Sequence, residues 1–465
     1  MPVDTRYGRL RGIASLGRTV RLAYPESMDQ PKDRKKKDTA TAGRVLEDGT
    51  IVELVYDPST HATRFCAWRQ DTFSMEDAFA VPTGERLVPI SADNALIRHR
   101  VVHLSRQPVI YGTETDLVAT IQEYIHRYVD LDPTFEAIAA HYVLLSWVYD
   151  AFNELPYLRL RGDYGTGKTR ALLIIGTLLY RPFFASGAST VSPIFHTLEQ
   201  FRGTLVLDEA DFRFSDEKSD LVKILNNGTV RGMPVLRTML NSQREFTPAA
   251  FHVFGPKLIA SRTTYDDVAL ESRFVTEIMG LRQMRTDIPI NLPDEARDEA
   301  AELRDKLLMY RFINRGRVGI DPKAIGPGLE PRLNQVLAPL LSVIEDQDLR
   351  EAIRDRARGE QRSARGSRGL SIEAHVVESL LACMAATPEQ PLPLKSIVST
   401  VNARYGREYD RPLTSRYVGS VLRSRLCLFA YKSHGVFVIP VQEQQKALVL
   451  AKRYGLSVND TDEVP

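Results

Sequence analysis

Cysteine is scarce in this chain: there are three in 465 residues, Cys66, Cys383 and Cys427, far apart, with no CxxC pair and no histidine cluster nearby. That spacing argues against a structural zinc and against a disulfide framework, and it fits a reducing, cytoplasmic setting. Long apolar runs are missing too. No stretch approaches the roughly 20 residues of a membrane span, and the first residues lack the apolar core of a secretory signal, so no membrane partner is expected. Excess charge is also absent. With 61 Lys and Arg against 59 Asp and Glu the net charge is +2, and any nucleic-acid contact has to come from local basic patches. The rest of the composition, 43% hydrophobic and 26% charged, is that of an ordinary globular protein, and the length predicts two to four domains.

What is present is organised around residues 162–169, GDYGTGKT, which follow the apolar-leaning stretch Leu155–Leu160 and precede a helix-like run, Arg170–Leu179. Gly162, Gly165 and Gly167 let the backbone turn tightly, so that the N–H groups of Gly162, Asp163, Tyr164, Gly165, Thr166 and Gly167 can face phosphate oxygens. Lys168 can reach the β and γ phosphates, the Thr169 hydroxyl can sit on a magnesium ion, and the helix that starts here adds its positive end. A second motif, Thr204–Glu209, reads as a strand buried on both faces that ends in two carboxylates. Asp208 is placed to hold magnesium through its water shell, and Glu209 to orient and deprotonate an attacking water. Together the two motifs predict binding and hydrolysis of a nucleoside triphosphate.

Around this core the chain divides by pattern. Residues 1–43 form a basic arm with Arg6, Arg9, Arg11, Arg18 and Arg21 and the run Lys32–Lys37, either phosphate-binding or simply solvated. Residues 44–112 carry short alternating runs and predict a small β-rich domain. Its Phe65 and Trp68 are read as core aromatics in preference to stacking platforms for bases. Residues 113–154 are a helical connector, with Asp132 or Thr134 as caps around Pro133. The nucleotide-binding core spans 155–290. It contains a predicted hairpin, Val235–Leu240 and Glu245–Thr247 about the polar tip Asn241–Arg244, then a strand, Lys257–Ala260, and the segment Leu270-Glu271-Ser272-Arg273-Phe274.

This order of parts resembles the AAA+ ATPases, and among them the superfamily III and MCM-type replicative helicases, over roughly residues 155–345. The resemblance implies an α/β fold, a parallel sheet flanked by helices with a helical lid at 291–350, and ATP and Mg2+ as ligands. It implies a polar sensor at the end of the Lys257–Ala260 strand, where this chain has Ser261, with Thr263 close by, in place of the family's usual Asn or Thr. Arg273 matches the finger that reaches a γ-phosphate in the neighbouring subunit; the structural alternative is an ion pair with Glu271 or Glu277. Arg332, at the start of a lid helix, resembles a second γ-phosphate contact. The hairpin of that family grips one nucleic-acid strand in a central pore, which would make Arg237 and Arg244, with Arg231 nearby, phosphate contacts.

Residues 351–369, rich in Arg, Gly and Ser, read as a flexible basic linker. Residues 370–445, three helices and a strand–turn–strand, resemble a winged-helix domain, and a tail follows at 446–465. The third helix would place Arg416, Arg423 and Arg425 toward duplex DNA. From Arg350 to Lys432 there are fifteen Lys or Arg against eight Asp or Glu. The expectation is an ATP-driven helicase or translocase, a homo-hexameric ring acting on single- and double-stranded DNA. It would serve replication of a phage, plasmid or integrated element alongside replication partner proteins. The rivals are an initiator or loader switch that does not unwind and a defence-associated ATPase.

Overall fold

Strands that are apolar on both faces demand helices on both sides, and the centre of the chain is built that way. The computed structural model describes residues 38–187, 189–208, 216–240, 244–265, 267–369 and 371–456. The basic arm up to residue 37, Glu209, the acidic loop at Asp211, the hairpin tip Asn241–Gln243 and residues 457–465 lie outside them.

The described residues open with β1 (Asp38–Thr41), β2 (Gly43–Val45), β3 (Ile51–Asp57), β4 (Ala62–Arg69), β5 (Thr72–Glu76), β6 (Phe79–Ala80), β7 (Arg86–Pro89) and the single turn α1 (Ala95–Arg98). β2–β3–β4–β5 form an antiparallel meander and β1–β7–β6 a smaller sheet. This β-rich part is no separate body, contrary to the sequence expectation. Cys66 and Val55 pack into one central cluster while Phe65 and Val52 pack into the other. Trp68 lies parallel to Phe312 with ring centroids 5.5 Å apart. Glu53 is buried beneath two arginines: Arg181 is hydrogen-bonded to it, and Arg311 Nε lies 2.6 Å from its carboxylate. Arg311 also pairs with Asp150 at 2.9 Å, and Tyr180 donates to Glu53 at 2.9 Å.

Next come α2 (Glu114–Tyr128) and α3 (Pro133–Val148). Thr113 and Asp116 form a capping box on α2, and Asp132 caps α3 with Pro133 in its first turn. The core follows: β8 (Tyr157–Arg161), α4 (Lys168–Gly176), β9 (Phe183–Ser186), α5 (Val191–Phe201), β10 (Leu205–Asp208), α6 (Asp216–Asn227), β11 (Val235–Leu240), β12 (Phe246–Phe251), β13 (Lys257–Ser261), α7 (Val268–Glu271) and β14 (Phe274–Ile278). Its five-stranded parallel sheet has the order β14–β8–β13–β10–β9. Val206, Leu258 and Ala260 face α2, α3 and α4, whereas Leu205, Leu207 and Ile259 face α5 and α6. β11 and β12 form the expected hairpin, with Arg237 opposite Ala249 and Leu240 opposite Phe246.

Beyond the sheet lie α8 (Glu295–Asn314), α9 (Pro331–Ser342) and α10 (Gln347–Gly369). α10 replaces the flexible linker expected there. The spacing of Leu349, Ile353 and Ala357 makes an apolar stripe that joins the central cluster. Gln361 is buried and its side-chain oxygen accepts from the Glu330 N–H at 2.8 Å. The last unit comprises α11 (Ile372–Ala386), β15 (Leu392–Pro393), α12 (Leu394–Tyr405), α13 (Ser415–Ser420), a π-helical turn at 421–425, β16 (Tyr431–Ser433), β17 (Val436–Ile439) and α14 (Val441–Tyr454). Its sheet order is β15–β17–β16, and it has its own hydrophobic cluster. The expected tail from residue 446 is instead largely helix: Ala447 and Ala451 of α14 are buried in that cluster. Among the described residues no helix is long and apolar enough to cross a membrane.

Candidate nucleotide site

The loop 162–169 leaves the C-terminal end of β8 and enters α4, the position at which open α/β sheets bind ligands. Gly167 caps α4 with φ 85°, a conformation that favours glycine. Gly162 donates to the Ser261 carbonyl at 3.3 Å, and a Cβ on it would lie 2.7 Å from the Met279 carbonyl. Lys168 Nζ donates to the Asp163 carbonyl at 2.7 Å. The Thr169 hydroxyl donates to Asp208 Oδ2 at 2.8 Å, which joins the loop to the end of β10. Gly167, Lys168, Thr169 and Asp208 line a cleft of about 400 Å³ together with Tyr164, Arg170, Ser261 and Arg262. Ser261, buried at the end of β13, donates to the Thr263 carbonyl at 3.2 Å.

Sequence reasoning missed two parts of this site. Arg262, next to the sensor candidate, lines the same cleft as Lys168 and Asp208. The second is a cavity of about 680 Å³ that shares Gly165, Thr166, Gly167 and Arg170 with the loop and continues past Met279, Met284, Ile288 and Asp130. Arg170 holds its rim by donating to the Pro289 and Ile290 carbonyls. The wall comes from the irregular stretch after β14, which carries no periodic signal. A cleft for phosphates opening onto a largely apolar chamber can hold a nucleotide with its base in the chamber.

The proposed trans-acting arginine lies at the other end of the sheet. β14 pairs with β8 in the register Phe274 to Tyr157 and Ile278 to Arg161, so Arg273 sits at the start of β8 and the loop at its finish. That is about 13 Å along the strand alone. Arg273 is half-buried and hydrogen-bonded to the Asn226 side chain. Neither acid considered as its partner is available. Glu271 makes a two-pronged pair with Arg159 at 2.6 and 2.8 Å, and Glu277 is 3.1 Å from Arg356. Arg332 lies at the Arg273 end as well: its Nε donates to the Ser272 hydroxyl at 3.0 Å. Burial first, then the Arg332 charge, lower the Arg273 pKa.

The nucleic-acid candidates fare differently. On β11, exposure alternates so that Val235, Arg237 and Met239 turn toward the body. Arg237 pairs with Asp220 at 2.6 Å and lies 4.0 Å over the Phe195 ring. Arg231 donates to the carbonyls of Asp150 and Phe152 at 2.6 and 2.9 Å. Both guanidinium groups therefore serve the fold in this arrangement. Arg244, beside the tip, is exposed. Arg416 and Arg423 are exposed, whereas Arg425 pairs with Glu373 at 2.7 Å.

No family model matches the chain, and no curated protein matches it significantly. Solved structures similar to it include the NrS-1 C-terminal region, at 12% identity and TM-score 0.38, covering 84% of this chain and 97% of that one. The SCCmec type IV Cch active helicase follows at 11% and 0.35, covering 88% and 95%. Cdc6p from Pyrobaculum aerophilum is at 10% and 0.21, covering 75% and 99%. Similarity at this level concerns chain architecture, and the chemistry of the site is argued from its own residues.

Proposed function

We propose that this chain is an AAA+ ATPase of the superfamily III or MCM type, a DNA helicase or translocase that works as a ring of identical copies. The setting we favour is replication of a phage, plasmid or integrated element. The observation that carries the reading is the placement of Thr169 and Asp208 at one end of β8, with Arg273 at the other. An arginine that serves the nucleotide from there belongs to the next copy. Thr169 and Asp208 offer hard oxygen donors 2.8 Å apart, a fit for Mg2+, which when bound neutralises phosphate charge. Lys168 and the loop N–H groups bind the phosphates, Glu209 deprotonates the attacking water, and Arg262 and Ser261 position the terminal phosphate in the same copy. Arg273 supplies charge stabilisation in the neighbouring copy, with Arg332 at its side.

The test combines ATP turnover, with and without single-stranded DNA, and strand displacement on a forked duplex. Lys168→Ala should abolish turnover, and Arg273→Ala should lower it by about 10³-fold. An equimolar mixture of the two inactive variants should regain part of the activity, because some interfaces pair an intact loop with an intact arginine. No recovery on mixing would refute catalysis between copies. A second reading, an ATP-controlled loader that does not unwind, draws support from the engagement of Arg231 and Arg237 within the fold. Turnover with neither stimulation nor unwinding would favour it.

A further inference from the structure

The C-terminal unit carries an exposed aromatic surface that the nucleotide site does not use. Phe429 is 61% exposed, Tyr417 43%, Phe437 41% and Tyr431 38%. Tyr431 and Phe437 lie on opposite faces of one hairpin, with Phe429 just before it. Phe437 pairs directly with Lys432 across β16 and β17, so the two side chains share a face. The Arg423 guanidinium sits 5.8 Å from the Phe437 ring on that side. Tyr431 pairs with Val438, one register step on, and so occupies the opposite face. There it stacks on Phe429, with centroids 6.4 Å apart and planes 16° from parallel. Arg416 stands exposed on α13 beside Tyr417.

The charge is one-sided. Between residues 411 and 442 there are five Lys or Arg and no Asp or Glu, the flanking Glu443 being engaged by Lys446 and the Phe429 N–H, and among the described residues Arg425 alone of the five pairs with a carboxylate, Glu373. Exposed rings interleaved with unopposed cations fit unpaired bases, which offer π-faces, joined by phosphates. Duplex DNA keeps its bases stacked on one another, and of the three arginines expected on the recognition helix, which here is α13 continued by the π-helical turn, Arg425 is already engaged by Glu373.

We propose that this hairpin is a binding site for single-stranded nucleic acid, with bases stacking on Phe437 on one face and on the Phe429–Tyr431 pair on the other, and with Arg416, Arg423 and Lys432 holding phosphates. The inference deepens the reading of the chain as a DNA-acting ATPase: the C-terminal unit holds the separated strand in place of reading the duplex.

The experiment uses the full chain without nucleotide and fluorescence anisotropy with labelled oligothymidine of about 20 residues and a blunt duplex of equal length. Phe429→Leu with Phe437→Leu keeps the apolar bulk and removes two ring faces. Oligothymidine should bind that variant about 100-fold more weakly, roughly tenfold per ring, while duplex affinity changes less than about twofold. Tyr431→Phe, which keeps its ring, should bind like the wild type. Equal weakening on both DNAs would assign the surface to duplex and overturn the proposal. Unchanged affinity for both would also overturn it, leaving a protein partner as the occupant. ATP turnover without DNA is read in the same samples. A chain that turned over no ATP yet bound oligothymidine through these rings would sink the motor reading and uphold this one.

Discussion

Thr169 and Asp208 are 39 residues apart in the chain and 2.8 Å apart in space, and that single contact turns two short motifs into one site. Its neighbour in sequence, Glu209, is the group on which hydrolysis is expected to depend. Glu209→Gln should retain ATP binding by nucleotide fluorescence and lose about 10²- to 10⁴-fold in turnover, the range for a removed general base. A second residue-scale consequence concerns Lys257. It is fully buried beside Tyr157, donates to the Val253 and Gly255 carbonyls at 2.9 and 3.0 Å, and burial pulls its pKa down to about 7. The unfolded chain keeps that proton up to the ordinary lysine value, about 10.4. Stability from this group is therefore complete above that value and lost as pH falls through about 7. Unfolding free energies from urea titrations should rise between pH 7 and 9, by up to about 1.4 kcal/mol per pH unit from this one group, and Lys257→Met should flatten that rise. A variant with the wild-type slope would rule out the assignment.

At the scale of elements, the hairpin β11–β12 is fastened to the body by Arg237. Asp220 stays below the usual carboxylate range through its bond to Lys223 first and then to Arg237. α6, which carries Asp220, follows closely on the end of β10, so the fastening links the hairpin to the neighbourhood of Asp208. Arg237→Ala should cost about 1 kcal/mol in stability and speed amide exchange in β11 and β12. Reversal of both partners, Arg237→Asp with Asp220→Arg, should restore part of the protection. The hairpin itself was legible in the sequence, as were the loop 162–169, the strand ending in Asp208 and the helices α2 and α3, because each carries a local signal. The inward turn of Arg237 is implicit in the two-residue period it shares with Val235 and Met239, but its arginine identity suggested a surface role. α10 was hidden by its Arg, Gly and Ser content, although Leu349, Ile353 and Ala357 recur at helical spacing. The chamber wall at 279–290 and the partners of Glu53 depend on contacts between distant segments, which no local pattern announces.

Over the whole molecule, Glu53 ties the first sheet to the rest. Its carboxylate is shared by Arg181, Arg311 and Tyr180, and through Arg311 it reaches Asp150. Glu53→Ala leaves the buried Arg181 without its counter-charge and Arg311 with Asp150 alone, and should cost about 3–5 kcal/mol, read as the loss in denaturant stability. It should also lower ATP turnover at 37 °C by unfolding, with turnover at low temperature retained. If Glu53→Ala were as stable as the wild type, the first sheet would be an appendage after all. At the opposite end, the 23-residue helix α10 runs from the central cluster to the C-terminal unit, about 34 Å at 1.5 Å per residue. A rod of that kind fixes phase as well as distance. Two residues added to it would swing the aromatic hairpin about 200° around the axis, and four about 40°. The unit is thus indexed to the parallel-sheet core like a hand on a shaft, and the direction in which its aromatic hairpin faces is written in the residue count of one helix.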